Sequence, residues 1–163
     1  MAFWRGRRSF SVFCFFVLLG AVLAIFYACE DFGIEADFFK GTIKGEVRLH
    51  QPVPSNTDEI RVAVSKTFPP ADILSLIFSG PLPVKKDSTL NEQTIPYDIQ
   101  VPLDDYAAVF SIWKEKDKSF NPADIIGLYG DLQFRQPVTV SLSDEHPVAD
   151  SVDMDIDFAR VLR

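Results

Sequence analysis

Cysteine is scarce in this chain of 163 residues. The only two cysteines are Cys14 and Cys29, so the residues after position 29 contain none. A body without cysteine cannot form an internal disulfide, and it offers no thiolate cluster for zinc or for an iron–sulfur centre. The first 29 residues and the rest of the chain therefore need separate explanations.

Histidine and positive charge are also scarce. The chain has 16 Lys and Arg residues against 23 Asp and Glu residues, a formal net charge of -7. This balance argues against a nucleic-acid partner, because phosphate binding needs a basic surface. The two histidines, His50 and His146, lie close to prolines in predicted turns, and neither belongs to a catalytic or metal-binding motif. We therefore expect a protein that is not an enzyme and has no catalytic residues.

The first 28 residues have the profile of an export signal. Residues 1–8 carry three arginines and no acid, and the next twenty residues, Ser9 to Ala28, carry no charge. A basic head stays in the cytoplasm, while an apolar run of about 20 residues can cross the hydrocarbon layer as a helix. The sequence predicts that the rest is exported. The segment is then either a cleaved signal peptide or a retained transmembrane anchor.

Cys29 ends the apolar run in the string Ala24-Ile25-Phe26-Tyr27-Ala28-Cys29. This string resembles the lipobox of bacterial lipoproteins, in which a small residue, here Ala28, precedes a cysteine that is acylated and becomes the first mature residue. The resemblance implies lipid attachment at Cys29, with acyl chains such as palmitate. Two or more acyl chains anchor a protein stably, whereas one is marginal at about 0.8 kcal/mol per buried methylene.

Three regions follow from these observations. We expect a signal segment at 1–28, a lipidated tether at 29–40 and a folded domain at 41–163. The domain would lie in the cell envelope on the non-cytoplasmic side, in the periplasm or at the cell surface, with the membrane and an envelope protein as partners. The alternative is a small subunit of a membrane complex, held by an uncleaved N-terminal helix. Without the basic head the chain carries 13 basic and 23 acidic residues, which keeps it soluble beside the membrane.

Apolar and polar residues alternate with a period of two throughout the body, between proline and glycine turn signals. The buried faces of the six predicted strands consist of Ile43, Val47 and Leu49; Ile60, Val62 and Val64; Ile95, Tyr97, Ile99 and Val101; the run Tyr106 to Trp113; Val138, Val140 and Leu142; and Val152, Met154, Ile156 and Phe158. The fourth is apolar on both faces. One segment, Pro69 to Phe78, has helical spacing with Asp72 as N-cap, and predicts a short helix or a buried crossing. The pattern predicts an all-β fold, a single antiparallel β-sandwich.

Four segments of the body resemble the prealbumin-like sandwiches that are related to carboxypeptidase regulatory domains. They are Gly41 to Val47, Ile95 to Tyr106 with its strand, turn and tyrosine, Val138 to Leu142, and Val152 to Phe158. The resemblance implies a prealbumin-like or Ig-like sandwich of seven or eight strands behind the N-terminal signal helix. Such domains are commonly non-enzymatic parts of exported and lipid-anchored proteins. The expected function is then a binding or scaffolding module of the bacterial cell envelope.

The loop after the fourth predicted strand is rich in oxygen ligands. It resembles a segment of exported prealbumin-like proteins in which acidic and amide oxygens bind calcium, and Asp117, Asn121 and Asp124 would be the ligands here. Calcium takes six to eight oxygen ligands, but three lysines at positions 114–118 oppose a cation. Two interpretations of this loop remain: a solvated loop without any cofactor, or a calcium site. A calcium- or carbohydrate-binding module is accordingly another alternative function.

The last predicted strand carries a row of acids, Asp153, Asp155 and Asp157, spaced about 7 Å apart. Like charges in a row are stabilised by opposite charges, and Lys44 and Arg48 lie on the polar face of the first strand. We expect the first and last strands to pair and to set these cations opposite the acids, each pair contributing roughly 0.2–1 kcal/mol. The alternative is a cation or ligand site on the row.

Overall fold

The computed structural model describes residues 39–86, 89–133 and 135–160, all of them within the unit Asp37–Arg163. No helix of seven or more residues occurs in this part of the chain, and the fold is all-β. None of its helices is long and apolar enough to span a membrane. The prediction of an all-β fold is confirmed. The predicted signal segment and Cys29 lie outside the described residues.

Short strands and single helical turns make up the described fold. Its strands are β1 (Gly41–Leu49), β2 (Thr57–Ser65), β3 (Ile77–Phe78), β4 (Gln93–Val101), β5 (Asp105–Tyr106), β6 (Ala108–Glu115), β7 (Ile125–Leu128), β8 (Gly130–Asp131), β9 (Gln136–Pro137), β10 (Val140–Ser141), β11 (Val148–Ala149) and β12 (Met154–Ile156). Single turns of 3₁₀ helix span Ile73–Ser75, Pro122–Asp124 and Phe158–Arg160. The longer strands β1, β2 and β4, and the last strand β12, coincide with segments of period-two alternation.

Eight strands form one sheet in which β1 is central. β1 pairs antiparallel with β4 over its whole length, and its other edge pairs parallel with β11 and then with β12. From β12 the sheet continues through β7, β6 and β2 to β3. Val47 lies opposite Met154, so the predicted pairing of the first and last strands is confirmed. Two small sheets join β5 to β10 and β8 to β9.

The sheet is nearly closed, and its inner side chains form the main core. Fully buried core residues alternate along the strands as the sequence predicts, and they include Ile43, Val47, Leu49, Ile60, Val62, Val64, Val101, Val109 and Ile126. Each buried aliphatic side chain contributes about 1.5–3 kcal/mol. The segment after β3 continues along β2, where the Leu82 N–H donates to the Ile60 carbonyl at 2.8 Å. Gln93 at the start of β4 reaches this segment, exchanging two hydrogen bonds with the Lys85 backbone at 2.8 and 2.9 Å.

β6 is buried on both faces, as its sequence predicts. Val109 and Trp113 belong to the main core, whereas Phe110 and Ile112 belong to a second apolar cluster on the opposite face of the sheet. Phe120 packs against that second cluster, and its ring stacks on Phe78 with centroids 5.3 Å apart. The wall formed by β2, β6 and β7 therefore carries an apolar layer on each side.

The predicted strand through Val138, Val140 and Leu142 is largely wrong. Only Val140 and Ser141 form a strand, β10, and Val138 is exposed. The reason lies in the backbone partners: the Val138 N–H donates to the Tyr129 carbonyl at 2.8 Å, outside any strand ladder, while Val140 pairs with Tyr106. Tyr106 belongs to β5. The strand that is predicted to begin at Tyr106 is β6, and it begins two residues later, at Ala108.

The predicted helix between Pro69 and Phe78 is reduced to one 3₁₀ turn. Asp72 is its N-cap, as expected, and its carboxylate accepts a hydrogen bond from the Leu74 N–H at 3.0 Å. The helix ends at Ser75 because Ile77 pairs with Val64 of β2 in an extended conformation. The segment is therefore a very short helix, and the alternative of a buried crossing is wrong, because no residue of the turn is buried and Leu74 is 88% exposed.

The strand beside β1 is interrupted between β11 and β12. Ser151 has a φ of 62°, in the left-handed region, and takes the chain out of the ladder. Val152 is nevertheless held at both backbone groups: its N–H donates to the Lys44 carbonyl at 3.0 Å, and its carbonyl accepts from the Tyr97 Oη at 2.6 Å. Gly45 permits this close approach, since a Cβ there would lie 2.2 Å from the Val152 oxygen.

Candidate functional site

A cleft of about 480 Å³ lies between β12, the end of β1 and the β8 turn, and is called the β12 cleft here. Its polar lining consists of His50, Gln51, Asp131, Gln133, Asp155 and Asp157. Three aliphatic side chains, Leu128, Leu132 and Ile156, also line it. Pockets of roughly 300–1,000 Å³ with an apolar surface and a few converging polar groups are typical small-ligand sites.

Strand pairing brings the acids and their partners together in the β12 cleft. Leu49 lies opposite Ile156, so the residues that follow β1 meet the outward side chains of β12. The His50 Nε2 lies 2.9 Å from the Asp155 Oδ1. The Gln51 Nε2 donates to the Asp157 Oδ1 at 3.4 Å. The two carboxylates are thereby given fixed positions at the mouth of the cleft.

The lining of the β12 cleft is suited to binding by hydrogen bonds. Its imidazole, amide and carboxylate groups can donate and accept, and its aliphatic side chains can cover the apolar part of a ligand. The geometry is therefore suited to contact with a polar ligand or with a partner's polar side chains.

Asp153 forms hydrogen bonds with β1 at the break between β11 and β12. Its Oδ1 accepts a hydrogen bond from the Glu46 N–H at 2.9 Å, a position that a backbone carbonyl would fill in an unbroken ladder. Its Oδ2 accepts from the Arg48 Nη2 at 2.5 Å, and the charge of Asp153 raises the pKa of Arg48. The predicted pairing of Arg48 with the acidic row is confirmed.

A second and more open cleft of about 780 Å³ lies over β4, β1 and the residues between β11 and β12, where the strand beside β1 is interrupted. Lys44 lines it and lies opposite Asp98 of β4 rather than opposite the acidic row. The prediction that Lys44 neutralises the row is therefore wrong, because Lys44 is paired in register with the other neighbour of β1. His50 and Gln51 are the partners of Asp155 and Asp157 instead.

The predicted calcium ligands lie in the connection between β6 and β7. Asp117 is exposed in a turn with a φ of 63°. Asn121 is the N-cap of the 3₁₀ turn that contains Asp124, and its Oδ1 accepts from the Ala123 N–H at 2.9 Å. The Asn121 Oδ1 is therefore already engaged in a hydrogen bond with the backbone. Within the described residues no group of three or more His, Cys, Asp or Glu side chains is arranged to hold a metal ion, and calcium at this loop stays a prediction.

Two carboxyl groups and two tyrosines outside the β12 cleft have shifted pKa values. A hydrogen bond from Lys114 lowers the pKa of Asp58, and one from Lys66 lowers that of Asp104. Both carboxylates stabilise the fold above their ordinary pKa, and this stabilisation is lost as the pH falls below about 4. Burial raises the pKa of Tyr97, and it raises that of Tyr106 to about 12.

Sequence reasoning missed most residues of the β12 cleft. The proline that follows His50 predicts a turn there, although His50 continues the outward alternation of Lys44, Glu46 and Arg48. That alternation was the available signal. The contribution of Asp131 and Gln133 has no sequence signal, because it depends on how the β8 turn folds back towards β12. Comparison of the chain with models of protein families, with curated proteins and with solved structures gives no match.

Proposed function

We propose that this chain is a bacterial lipoprotein, an exported and non-enzymatic binding or scaffolding module of the cell envelope. Cys29 directly follows the uncharged run Ser9 to Ala28, which supports both export and acylation. A folded all-β body begins at Gly41, so residues 29–40 serve as the tether. At about 3.5 Å per residue, this tether spans at most about 40 Å and keeps the body next to the membrane.

The fold of the body is, in this proposal, a β-sandwich of the prealbumin-like type. The inner residues of β4, β1 and β12 and those of β7, β6 and β2 share one core, which supports two facing walls. The Tyr106 hydroxyl donates to the Pro102 carbonyl at 2.7 Å, four residues upstream, in the connection between β4 and β6. A tyrosine that hydrogen-bonds back to the preceding corner is a hallmark of antiparallel sandwiches.

The single observation that carries the binding role is the β12 cleft. Its polar groups converge on a space of about 480 Å³, and they come from three separate parts of the chain. His50 and Asp155 are both largely exposed there, so an incoming group can reach them. The cleft therefore receives a polar ligand or an exposed loop of an envelope protein.

A second candidate is a small subunit of a membrane complex with an uncleaved N-terminal helix. The length of the apolar run favours it: twenty residues match the hydrocarbon thickness, whereas the apolar core of a signal peptide usually has 7–15 residues. The body would use the same cleft in either case. The two candidates differ only in whether residues 1–28 remain attached.

The binding role is tested by site-specific photocrosslinking in intact membranes. A photoreactive residue replaces Gln133 in the cleft or, as a matched control, the exposed Gln100 on β4. We expect a defined adduct from position 133 alone, and we expect the substitution His50→Ala to reduce it several-fold while His146→Ala leaves it unchanged. Equal adducts from both positions, or an adduct indifferent to His50→Ala, would remove the cleft from the proposal.

A further inference from the structure

Four large apolar side chains are exposed on the described surface. They are Phe39, Leu74, Val138 and Val148, with exposed fractions of 47%, 88%, 47% and 44%. Single exposed apolar residues are normal on a protein surface, whereas grouped ones mark contact surfaces. Their positions in the topology place all four at one end of the sheet.

Strand directions determine which connections meet at each end of the sheet. β12 runs parallel to β1, and two antiparallel steps, through β7, make β6 parallel to both. The pairs at the end where β1 begins are Gly41 with Val101, Thr42 with Val148, Ser65 with Ala108, and Val64 with Ile77. The connections at this end are therefore 66–76, 102–107 and 129–147, together with the segment that precedes β1.

All four exposed apolar residues lie at this end. Phe39 precedes β1, Val148 begins β11, Leu74 lies in 66–76 and Val138 lies in 129–147. The opposite end is formed by 50–56, 116–124, 157–160 and the described residues of 79–92, and none of the four belongs to it. The described body thus has one end with exposed apolar side chains, called the apolar end here, and one end without them.

We propose that the apolar end rests on the surface of a lipid bilayer, with these four side chains among the lipid head groups and the first acyl carbons. The inference depends on the proposed membrane attachment. The chain enters the body at this end, and only nine residues separate Cys29 from Phe39. A tether of that length reaches at most about 35 Å, so an anchor at Cys29 keeps the apolar end within about 35 Å of the bilayer.

Charge at the apolar end selects the kind of lipid. Asp144 and Glu145 are exposed in 129–147, and Asp105 is exposed in 102–107. Asp72 and Asp131 add two more exposed acids, so among the described residues five exposed acids at this end outnumber the three exposed cations Lys40, Lys66 and Arg135, of which Lys66 is engaged by Asp104. Anionic head groups would be repelled by these acids, and the surface is therefore suited to zwitterionic phospholipid.

The test uses the full chain in phosphatidylcholine vesicles that contain a phospholipid with a photoactivatable acyl chain. After irradiation, lipid adducts are mapped by peptide mass spectrometry. We expect adducts on the peptides that contain Phe39, Leu74, Val138 and Val148, and none on 50–56 or 116–124. The surface substitution Leu74→Glu should lower the yield on 66–76 several-fold, while Ser55→Glu at the opposite end should change nothing.

Three other outcomes would overturn the inference, and they are distinguishable. Adducts confined to residues before Phe39, in protein that sediments with the vesicles, would mean that the anchor exists but the body does not touch the bilayer. Protein that fails to sediment with the vesicles would refute the proposed attachment itself. Adducts spread equally over both ends of the body would show that contact with lipid is not oriented.

Discussion

Two buried tyrosine hydroxyl groups complete the backbone hydrogen bonding of the body. Tyr97 donates to the carbonyl of Val152, and Tyr106 donates to the carbonyl of Pro102, at 2.6 and 2.7 Å. Both carbonyls belong to residues outside the regular strands, where no ladder partner is available. Each hydroxyl thus replaces a missing backbone donor, and burial raises the pKa of both phenols because a buried phenolate is poorly solvated.

The substitution Tyr106→Phe should lower the free energy of unfolding by about 1–2 kcal/mol, because it leaves the Pro102 carbonyl without its donor. Tyr129→Phe is the matched control, since the Tyr129 hydroxyl makes none of the hydrogen bonds found among the described residues. Urea denaturation of the purified protein measures both variants. Equal stability of the two variants would show that the Tyr106 hydrogen bond contributes nothing.

Alkaline pH should lower the free energy of unfolding through the ionisation of Tyr106. Folding favours the neutral phenol of Tyr106, whose pKa rises from about 10 to about 12, so its stabilisation is complete below pH 10 and is lost as the pH rises through 12. The loss at pH 12 is about 2 kcal/mol. The stability difference between the unmodified protein and Tyr106→Phe should therefore shrink between pH 9 and pH 12. A difference that is constant over this range would contradict the raised pKa.

At the scale of elements, β1 organises the sheet because it meets three other strands. Its odd-numbered residues from Ile43 to Leu49 face the core, apart from Gly45, which has no side chain. Tyr97 lies opposite Gly45 on β4 and reaches past it to the Val152 carbonyl. The interruption between β11 and β12 is thereby fixed by one glycine on the central strand and one tyrosine on its neighbour.

The substitution Gly45→Ala should destabilise the body by about 3 kcal/mol, because its Cβ would lie 2.2 Å from the Val152 oxygen and would force the backbone apart. Gly80→Ala is the control, since nothing lies within 4 Å of a Cβ built there. It should be neutral or stabilising by up to about 1 kcal/mol. Thermal and urea unfolding measure both variants. Equal tolerance of the two substitutions would contradict the close approach at Gly45.

The sequence predicts the elements well wherever alternation and burial coincide. The core faces of β1, β2, β4 and β6 follow directly from the spacing of their apolar residues, because one face of each strand must be buried. The position of Val138 outside a strand does not follow from this spacing, since its backbone partner Tyr129 belongs to another part of the chain. Pairing partners and strand breaks such as Ser151 depend on long-range contacts that local spacing does not encode.

Candidate site residues show the same division. The pairing of Arg48 with the acidic row follows from charge alternation on the first and last strands, and the structure bears it out. The β12 cleft does not follow, because it depends on the fold of the β8 turn and on the register that sets Leu49 opposite Ile156. The proposed lipidation of Cys29 rests on the sequence alone, since a lipidation signal is a local pattern.

For the whole molecule, the proposal joins three statements: export, acylation at Cys29 and contact of the apolar end with lipid. The chain enters the body at Phe39, at the end that carries the four exposed apolar side chains. The proposed attachment and the proposed orientation both depend on acyl chains at Cys29.

The intact mass of the full-length gene product, extracted from bacterial membranes with detergent, tests this claim most directly. The account predicts a chain that begins at Cys29 and carries at least two acyl chains, and it predicts that Cys29→Ala abolishes this species while Cys14→Ala does not. A membrane-extracted chain that still begins at Met1 and carries no acyl group would contradict it.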